Sequence, residues 1–259
     1  MMATENVSED AKQKAVEQLF CRASTTSPFN GHLTFLSVLN SIFSITAFLG
    51  NVLILVALRK ESSLHPPSKL LLRSLAATDV CVGLISEPLA VAYWLSEQYG
   101  YCDIRRFLYA GVSVTGTILC GVSLLTTTAI SVDRLLALLL RLRYRQVVTL
   151  KRTYMIVITF WILPTIVSTT YFWNFLITLR SIVIGILLRL VTSIFSYTKI
   201  FLTLRDLQTH VQNQPQQLNQ TSPLNIARYK KAVSSAIWLQ LTLVACYLPY
   251  CIAEALWAE

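Results

Sequence analysis

A few polar and ionisable residues of this sequence lie inside apolar stretches. Asn51, Asp79, Glu87, Ser123, the adjacent Asp133-Arg134 and Arg189 all sit in or at the edge of such runs. A charged group at the centre of a membrane helix costs upward of about 2.5 kcal/mol, so such residues pair, face a polar interior or serve a function. Asn51, within Gly50-Asn51-Val52-Leu53, places an amide near the middle of the first run. Asp79 ends Leu75-Ala76-Ala77-Thr78-Asp79 in the second, and Ser123 lies in the third. Three helices could gather these groups into one interior polar pocket. Ordinary interhelical hydrogen bonding accounts for Asn51 and Ser123 equally well. Asp79 asks for more, because a carboxylate there needs a cation, a proton or a strong donor. Asp133 and Arg134 stand where the third run gives way to Arg141, Arg143 and Arg145. Charge is cheap at that depth, and a pair so placed can exchange partners between two states. The plainer alternative is a snorkelling arginine with an incidental acid beside it. Glu87, just before Pro88, is a second intramembrane acid near a helix end; it either receives a cationic ligand group or reaches outward. Arg189 has Glu87 or an anionic ligand as its candidate partner.

These residues must be positioned by helices. The 259 residues have a mean hydropathy of +0.56 and only 14% charged side chains, where a soluble domain carries about 25%. Roughly 20 apolar residues cross a bilayer as a helix. Six runs qualify, at about 34–58, 70–95, 107–133, 153–173, 178–203 and 232–257. The expected fold is an all-α membrane bundle of six transmembrane helices over 34–257, with an extracellular segment 1–33 before it. Pro88, Pro164 and Pro249 fall within spans, which a bundle of neighbours tolerates. Residues 1–30 lack a basic region followed by an apolar core, so no cleavable signal peptide is expected.

Basic residues cluster between alternate spans: Arg59, Lys60, Lys69 and Arg73, then Arg134 to Arg152, then Lys199 to Lys231. The opposite side has few, among them Arg105, Arg106 and Arg180. Positive residues collect in the cytoplasm, so the N-terminus is extracellular, as in a multi-pass protein of the plasma membrane. The net charge of +9 is then mainly a topology signal and gives no basic reading face for nucleic acid. Cys21 and Cys102 both fall outside, where disulfides persist, and are the candidate bridge. Cys81, Cys120, Cys246 and Cys251 lie within spans and read as apolar packing. Asn6-Val7-Ser8 is a glycosylation sequon on the outer side. The chain contains no phosphate-binding glycine loop, H-E-x-x-H or C-x-x-C, and no serine in a G-x-S-x-G context. Nothing marks an enzyme.

GNVL, LAATD and AISVDR follow one another in the first three spans. LRLRYRQVVT, Trp161, SYTKI and CYLP then follow in order. Over about 34–255 the chain resembles the rhodopsin-like class of G-protein-coupled receptors. The resemblance implies that Asn51, Asp79 and Ser123 form a sodium-binding pocket, with no other metal or cofactor. It implies an activation switch of Asp133, Arg134, Tyr197, Tyr247 and Pro249: the arginine is held by its acidic neighbour at rest, then swings to a heterotrimeric G protein as the sixth helix moves outward. Arg134, Leu142, Tyr144, Lys230 and Lys231 would face that G protein. The ligand pocket would take in Glu87, Gly116, Cys120 and Tyr250.

The chain departs from the family pattern in several places. Leu135 replaces an aromatic, and Tyr247 replaces the toggle tryptophan. Arg141 stands where proline is usual, and Tyr229 where many receptors carry an acid. The fifth span lacks proline, and the connection before it, about Asn174–Arg180, is short and has no cysteine. Both features lean towards a melanocortin-like branch. The chain stops ten residues after Pro249, so a C-terminally truncated receptor lacking its seventh helix is the expectation. Such a form has an open seam that invites a partner helix or receptor dimerisation. Alone it is expected to fold poorly and leave the G protein silent.

Gly116 occupies the third-span position, five turns before Arg134, where amine receptors carry aspartate. This argues against a biogenic amine as the extracellular ligand. With Cys120 one turn on, this face could instead admit a neighbouring helix closely. The third cytoplasmic loop, 204–231, is glutamine-rich and reads as flexible. Its basic edge suits anionic lipid or the G protein. Two readings compete with a signalling receptor: a six-span, non-signalling partner that modulates a full-length receptor, and a transporter. The repeats and broken helices of a transporter are absent from the sequence.

Overall fold

The computed structural model describes residues 30–62, 64–140 and 143–213. Within them the chain is helical: α1 (Asn30–Lys60), α2 (Pro66–Cys81), a π-helical turn (Val82–Ser86), α3 (Glu87–Gln98), α4 (Cys102–Leu140), α5 (Tyr144–Val147), α6 (Leu150–Thr169), a 3-10 turn (Thr170–Phe172) and α7 (Phe175–Asn213). Five of the helical stretches are long and apolar enough to cross a membrane: Gly31–Lys60, Pro66–Gln98, Cys102–Leu140, Leu150–Phe172 and Arg180–Thr203. They correspond to the first five expected spans; the sixth, 232–257, lies outside the described residues. The molecule is a multi-pass membrane protein.

Local chemistry sets the breaks. Pro66 and Pro67 open α2, where the first-turn N–H groups have no helical acceptor anyway. Gly100, with φ 71°, ends α3 in the left-handed conformation that glycine adopts at least cost. Its N–H bonds Glu97 O at 3.3 Å and the N–H of Tyr101 bonds Ser96 O at 2.9 Å, the paired closure of a Schellman turn. Asn174 caps α7 by accepting from the N–H of Ile177 at 3.3 Å. The expected connection of about Asn174–Arg180 is therefore shorter still, with helix resuming at Phe175. At its other end α7 continues to Asn213, so the segment expected as a loop from Leu204 begins as helix.

Packing groups the chain into two units, Met1–Arg59 with Ala76–Leu119 and Lys60–Leu75 with Cys120–Glu259. In both, large apolar side chains face out, such as Leu53 at 69% exposure and Leu188 at 64%. The buried positions are small and often hydroxylic: Ser37, Thr78 and Ser96 in the first unit, Thr126, Ser131, Ser193 and Ser196 in the second. This inverts a soluble core. Lipid tails solvate leucine as well as another helix does, so helices meet through small residues.

In the first unit, the π turn follows from Pro88. The N–H of Glu87 bonds Val82 O five residues back. The next bond in that register would run from residue 88 to Gly83 O, and proline has no N–H. Ser44 Oγ of α1 donates to Gly83 O instead, at 2.6 Å. Gly83 is buried, and a Cβ there would lie 2.7 Å from Ser44 O and 2.8 Å from the backbone N of Phe48. In the second unit, a Cβ on Gly121 would lie 2.7 and 2.8 Å from the ring carbons of Pro164 in α6. Among the described residues these two glycines are close-approach points, whereas a Cβ on Gly116, a candidate for that role, meets no described residue within 4 Å.

Candidate functional site

Within the second unit, Asp133 is buried, at 5% exposure, near the C-terminal end of α4. Two hydroxyls hold its carboxylate. Tyr144 Oη of α5 donates to Oδ1 at 2.6 Å, and Ser68 Oγ of α2 donates to Oδ2 at 2.7 Å. The two hydroxyl oxygens are themselves 3.1 Å apart. The His65 ring lies against that of Tyr144, with centroids 5.1 Å apart, and its Nδ1 is buried without a hydrogen-bond partner. Burial, then the bond to Asp133, pushes the Tyr144 phenol up to about 12, while the Ser68 hydrogen bond pulls the other way. The phenol therefore keeps its proton and acts as the donor.

The local sequence explains the arrangement. Pro66-Pro67 starts α2 at a fixed point, with the N–H of Lys69 bonded to His65 O at 3.0 Å. Ser68 thus sits in the first turn. The Lys69 ammonium bonds Glu61 O, tying the start of α2 to the preceding turn. Tyr144 opens a four-residue helix whose Val148 N–H returns to Tyr144 O at 2.9 Å. Arg134, next along α4, is half-buried.

The sequence marked Asp133 and Arg134 but missed Ser68 and His65. Tyr144, expected on a G-protein-facing surface, is instead 8% exposed with its hydroxyl committed to Asp133. The signal for Tyr144 was its place eleven residues past Asp133 among arginines. For Ser68, 65 residues away, there was only the Pro-Pro helix start.

In the first unit, Asn51 donates from Nδ2 to Ala47 O on its own helix at 2.9 Å. Asp79 is half-buried near the end of α2. Ser123 is half-buried on α4 in the second unit. Glu87 is half-buried and meets Asn40 of α1: with the Asn40 amide oriented to satisfy both neighbours, its Nδ2 donates to Glu87 Oε2 at 3.2 Å and its Oδ1 accepts from Trp94 Nε1 at 3.1 Å. Cys120 and Cys81 are not disulfide-bonded. Arg189 is half-buried, with its guanidinium lying back over Gly185: a Cβ there would meet Nη2 at 3.6 Å. Tyr197 lies on α7. Asn6, Cys21, Leu142, Lys230, Lys231, Tyr247, Pro249 and Tyr250 lie outside the described residues. Among the described residues, no group of three or more His, Cys, Asp or Glu could hold a metal ion.

Residues 50–173 match the family model of the 7 transmembrane receptor (rhodopsin family), somewhat under half of the chain. That stretch contains Asn51, Ser68, Asp79, Ser123, Asp133, Arg134 and Tyr144, and the match supports the rhodopsin-like receptor class. Among individual proteins, the chain is similar to adenosine receptor A2b of Bos taurus, 37% identical over 128 residues, 48% of this chain and 37% of that receptor. It is also similar to adenosine receptor A2b of Homo sapiens, 35% identical over 128 residues, with the same two coverages. A third relative is muscarinic acetylcholine receptor M3 of Sus scrofa, 24% identical over 165 residues, 61% of this chain and 28% of that receptor. The chain spans less than half the length of each of these relatives. They give no support to a melanocortin-like branch or to a truncation.

Proposed function

We propose that these residues belong to a rhodopsin-like G-protein-coupled receptor of the plasma membrane, with an extracellular N-terminus. It carries a signal from a small extracellular ligand to a heterotrimeric G protein. The observation that carries this reading is the buried Asp133 carboxylate, gripped by Ser68 and Tyr144 beside Arg134, inside the segment that matches the receptor family. A carboxylate committed to two hydroxyls gives the end of α4 one stable arrangement. Outward movement of the sixth helix then opens the G-protein side to Arg134; Tyr197, Tyr247 and Pro249 act in the same switch. Leu142, Lys230 and Lys231 complete the G-protein face.

Asn51, Asp79 and Ser123 form the sodium site in this proposal. Asn51 spends its Nδ2 within α1 and offers its Oδ1, the kind of oxygen donor a hard cation takes. The Cys21–Cys102 bridge and a glycan on Asn6 belong to the outer side. Support for the bridge comes from Cys102, which is disulfide-bonded where Cys81 and Cys120 are not.

The test is guanine-nucleotide exchange on a panel of G proteins in membranes carrying the protein. Adenosine and acetylcholine are the first probes, since the relatives' names point to them. Exchange above receptor-free membranes, abolished by Arg134→Ala, is expected. Surface-expressed protein that drives no exchange with any G protein would leave the non-signalling partner as the better account.

A further inference from the structure

A polar seam joins α1 to the second span within the first unit. Thr34 and Gln98 exchange a hydrogen bond, Gln98 Nε2 donating to Thr34 Oγ1 at 3.1 Å. Asn40 bridges Glu87 and Trp94, and Ser44 reaches Gly83 O. Thr34, Ser37, Asn40, Ser41 and Ser44 recur at helical spacing on one face of α1. Two groups in this seam are not satisfied by it. Ser37 is 6% exposed and its Oγ has no hydrogen-bond partner. Glu87 has a neutral amide as its polar partner, and no cation among the described residues pairs with it.

A helix N-terminus does not compensate Glu87. Although it begins α3, the π turn runs straight into that helix, and the N–H of Glu87 is already bonded to Val82 O. Pro88 contributes no donor. An intramembrane carboxylate so placed is costly. Asn40 and the Trp94 indole, two turns beyond Glu87 on the same helix, nevertheless fix its orientation. Pre-orienting an uncompensated charge, with an orphaned hydroxyl three residues before Asn40 on the same face of α1, makes sense for a cation that arrives from outside.

We propose that Glu87, positioned by Asn40 and Trp94, is the counter-ion for an ammonium group on the ligand, with Ser37 as a further acceptor. The proposal rests on the receptor reading and adds a ligand class and a place, and it revises the expectation drawn from Gly116: the third span lacks the acid that amine receptors carry, and Glu87 of the second span supplies one instead.

The test uses the full chain in lipid nanodiscs and follows thermal unfolding. The probe is 2-phenylethylammonium, compared with the neutral 2-phenylethanol and with sodium chloride at equal ionic strength. The ammonium compound is expected to raise Tm in a saturable way, and the two comparators are not. Glu87→Gln should weaken the apparent affinity by about tenfold or more, as for truncation of a desolvated charge pair. Asn40→Ala should weaken it by about three- to tenfold. Because Glu87 is uncompensated without ligand, Glu87→Gln should also leave the ligand-free Tm equal or higher, the trade-off expected of a binding site. A lower ligand-free Tm for Glu87→Gln would make the acid structural and overturn the proposal. So would an equal response of wild type and Glu87→Gln to the probe, an equal response to sodium, or no response of the wild type. Nucleotide exchange is read separately, so the receptor reading can survive the loss of this one.

Discussion

Tyr144→Phe is the sharpest perturbation of the Asp133 site. It deletes one oxygen, 2.6 Å from Asp133 Oδ1 and 3.1 Å from Ser68 Oγ. It keeps the ring that lies against His65. Asp133 is 5% exposed, so bulk water does not replace the lost donor. A hydrogen bond to a charged group contributes about 1.5–3 kcal/mol, and 2.6 Å is at the short, strong end for a hydroxyl on a carboxylate. The variant should lose about that much stability, a fall of roughly 3–12 °C in Tm at the size scaling of folded domains. A double-mutant cycle with Asp133→Asn isolates the cause. Against a neutral amide the same hydroxyl contributes about 0.5–1.5 kcal/mol, so the two substitutions should couple by about 1 kcal/mol. The assay is thermal or denaturant unfolding of the four proteins in one membrane mimetic. A loss under about 0.5 kcal/mol for Tyr144→Phe, or strict additivity with Asp133→Asn, would refute the claim that a charged, desolvated carboxylate is what Tyr144 holds.

The same phenol predicts a pH dependence. Its folded value is raised to about 12 against an ordinary value near 10, so the unfolded chain releases this proton first. The contribution is fully present below about pH 10 and is lost as pH rises through about 12. The ultraviolet difference spectrum between wild type and Tyr144→Phe should show no phenolate until that window. Gly83→Ala and Gly121→Ala should each destabilise the fold by about 1–3 kcal/mol, because the new methyl meets α1 backbone or the Pro164 ring below 3.0 Å. Gly50→Ala and Gly116→Ala meet no described residue within 4 Å and should be neutral or stabilising by up to about 1 kcal/mol; unfolding midpoints that do not separate the two pairs would contradict the packing described here. Ser44→Ala should cost about 1–3 kcal/mol by orphaning Gly83 O, measured the same way. Mass spectrometry after non-reducing digestion should recover a peptide linking Cys21 to Cys102; two free thiols would end that proposal.

The sequence alone determined the spans, because burial in lipid demands long runs of apolar residues whatever the packing. Five of the six expected runs became helices at nearly the expected places, and the sixth lies outside the described residues. Asp133 was legible too, since an acid beside an arginine at the end of such a run is conspicuous in any arrangement of neighbours. Pro88 announced a disturbance, though not its form. Only the tertiary structure decided that Ser68, 65 residues before Asp133, would share its carboxylate with Tyr144. It also decided that Ser44 would answer the carbonyl Pro88 leaves unbonded, and that Gly83 and Gly121 would be points of close approach. Hydropathy depends on a residue's own side chain and its near neighbours in the chain. A hydrogen bond between helices, or the absence of room for a methyl, depends on which faces meet. In a bilayer the apolar pattern says little about that, because lipid accepts a leucine face as readily as another helix does.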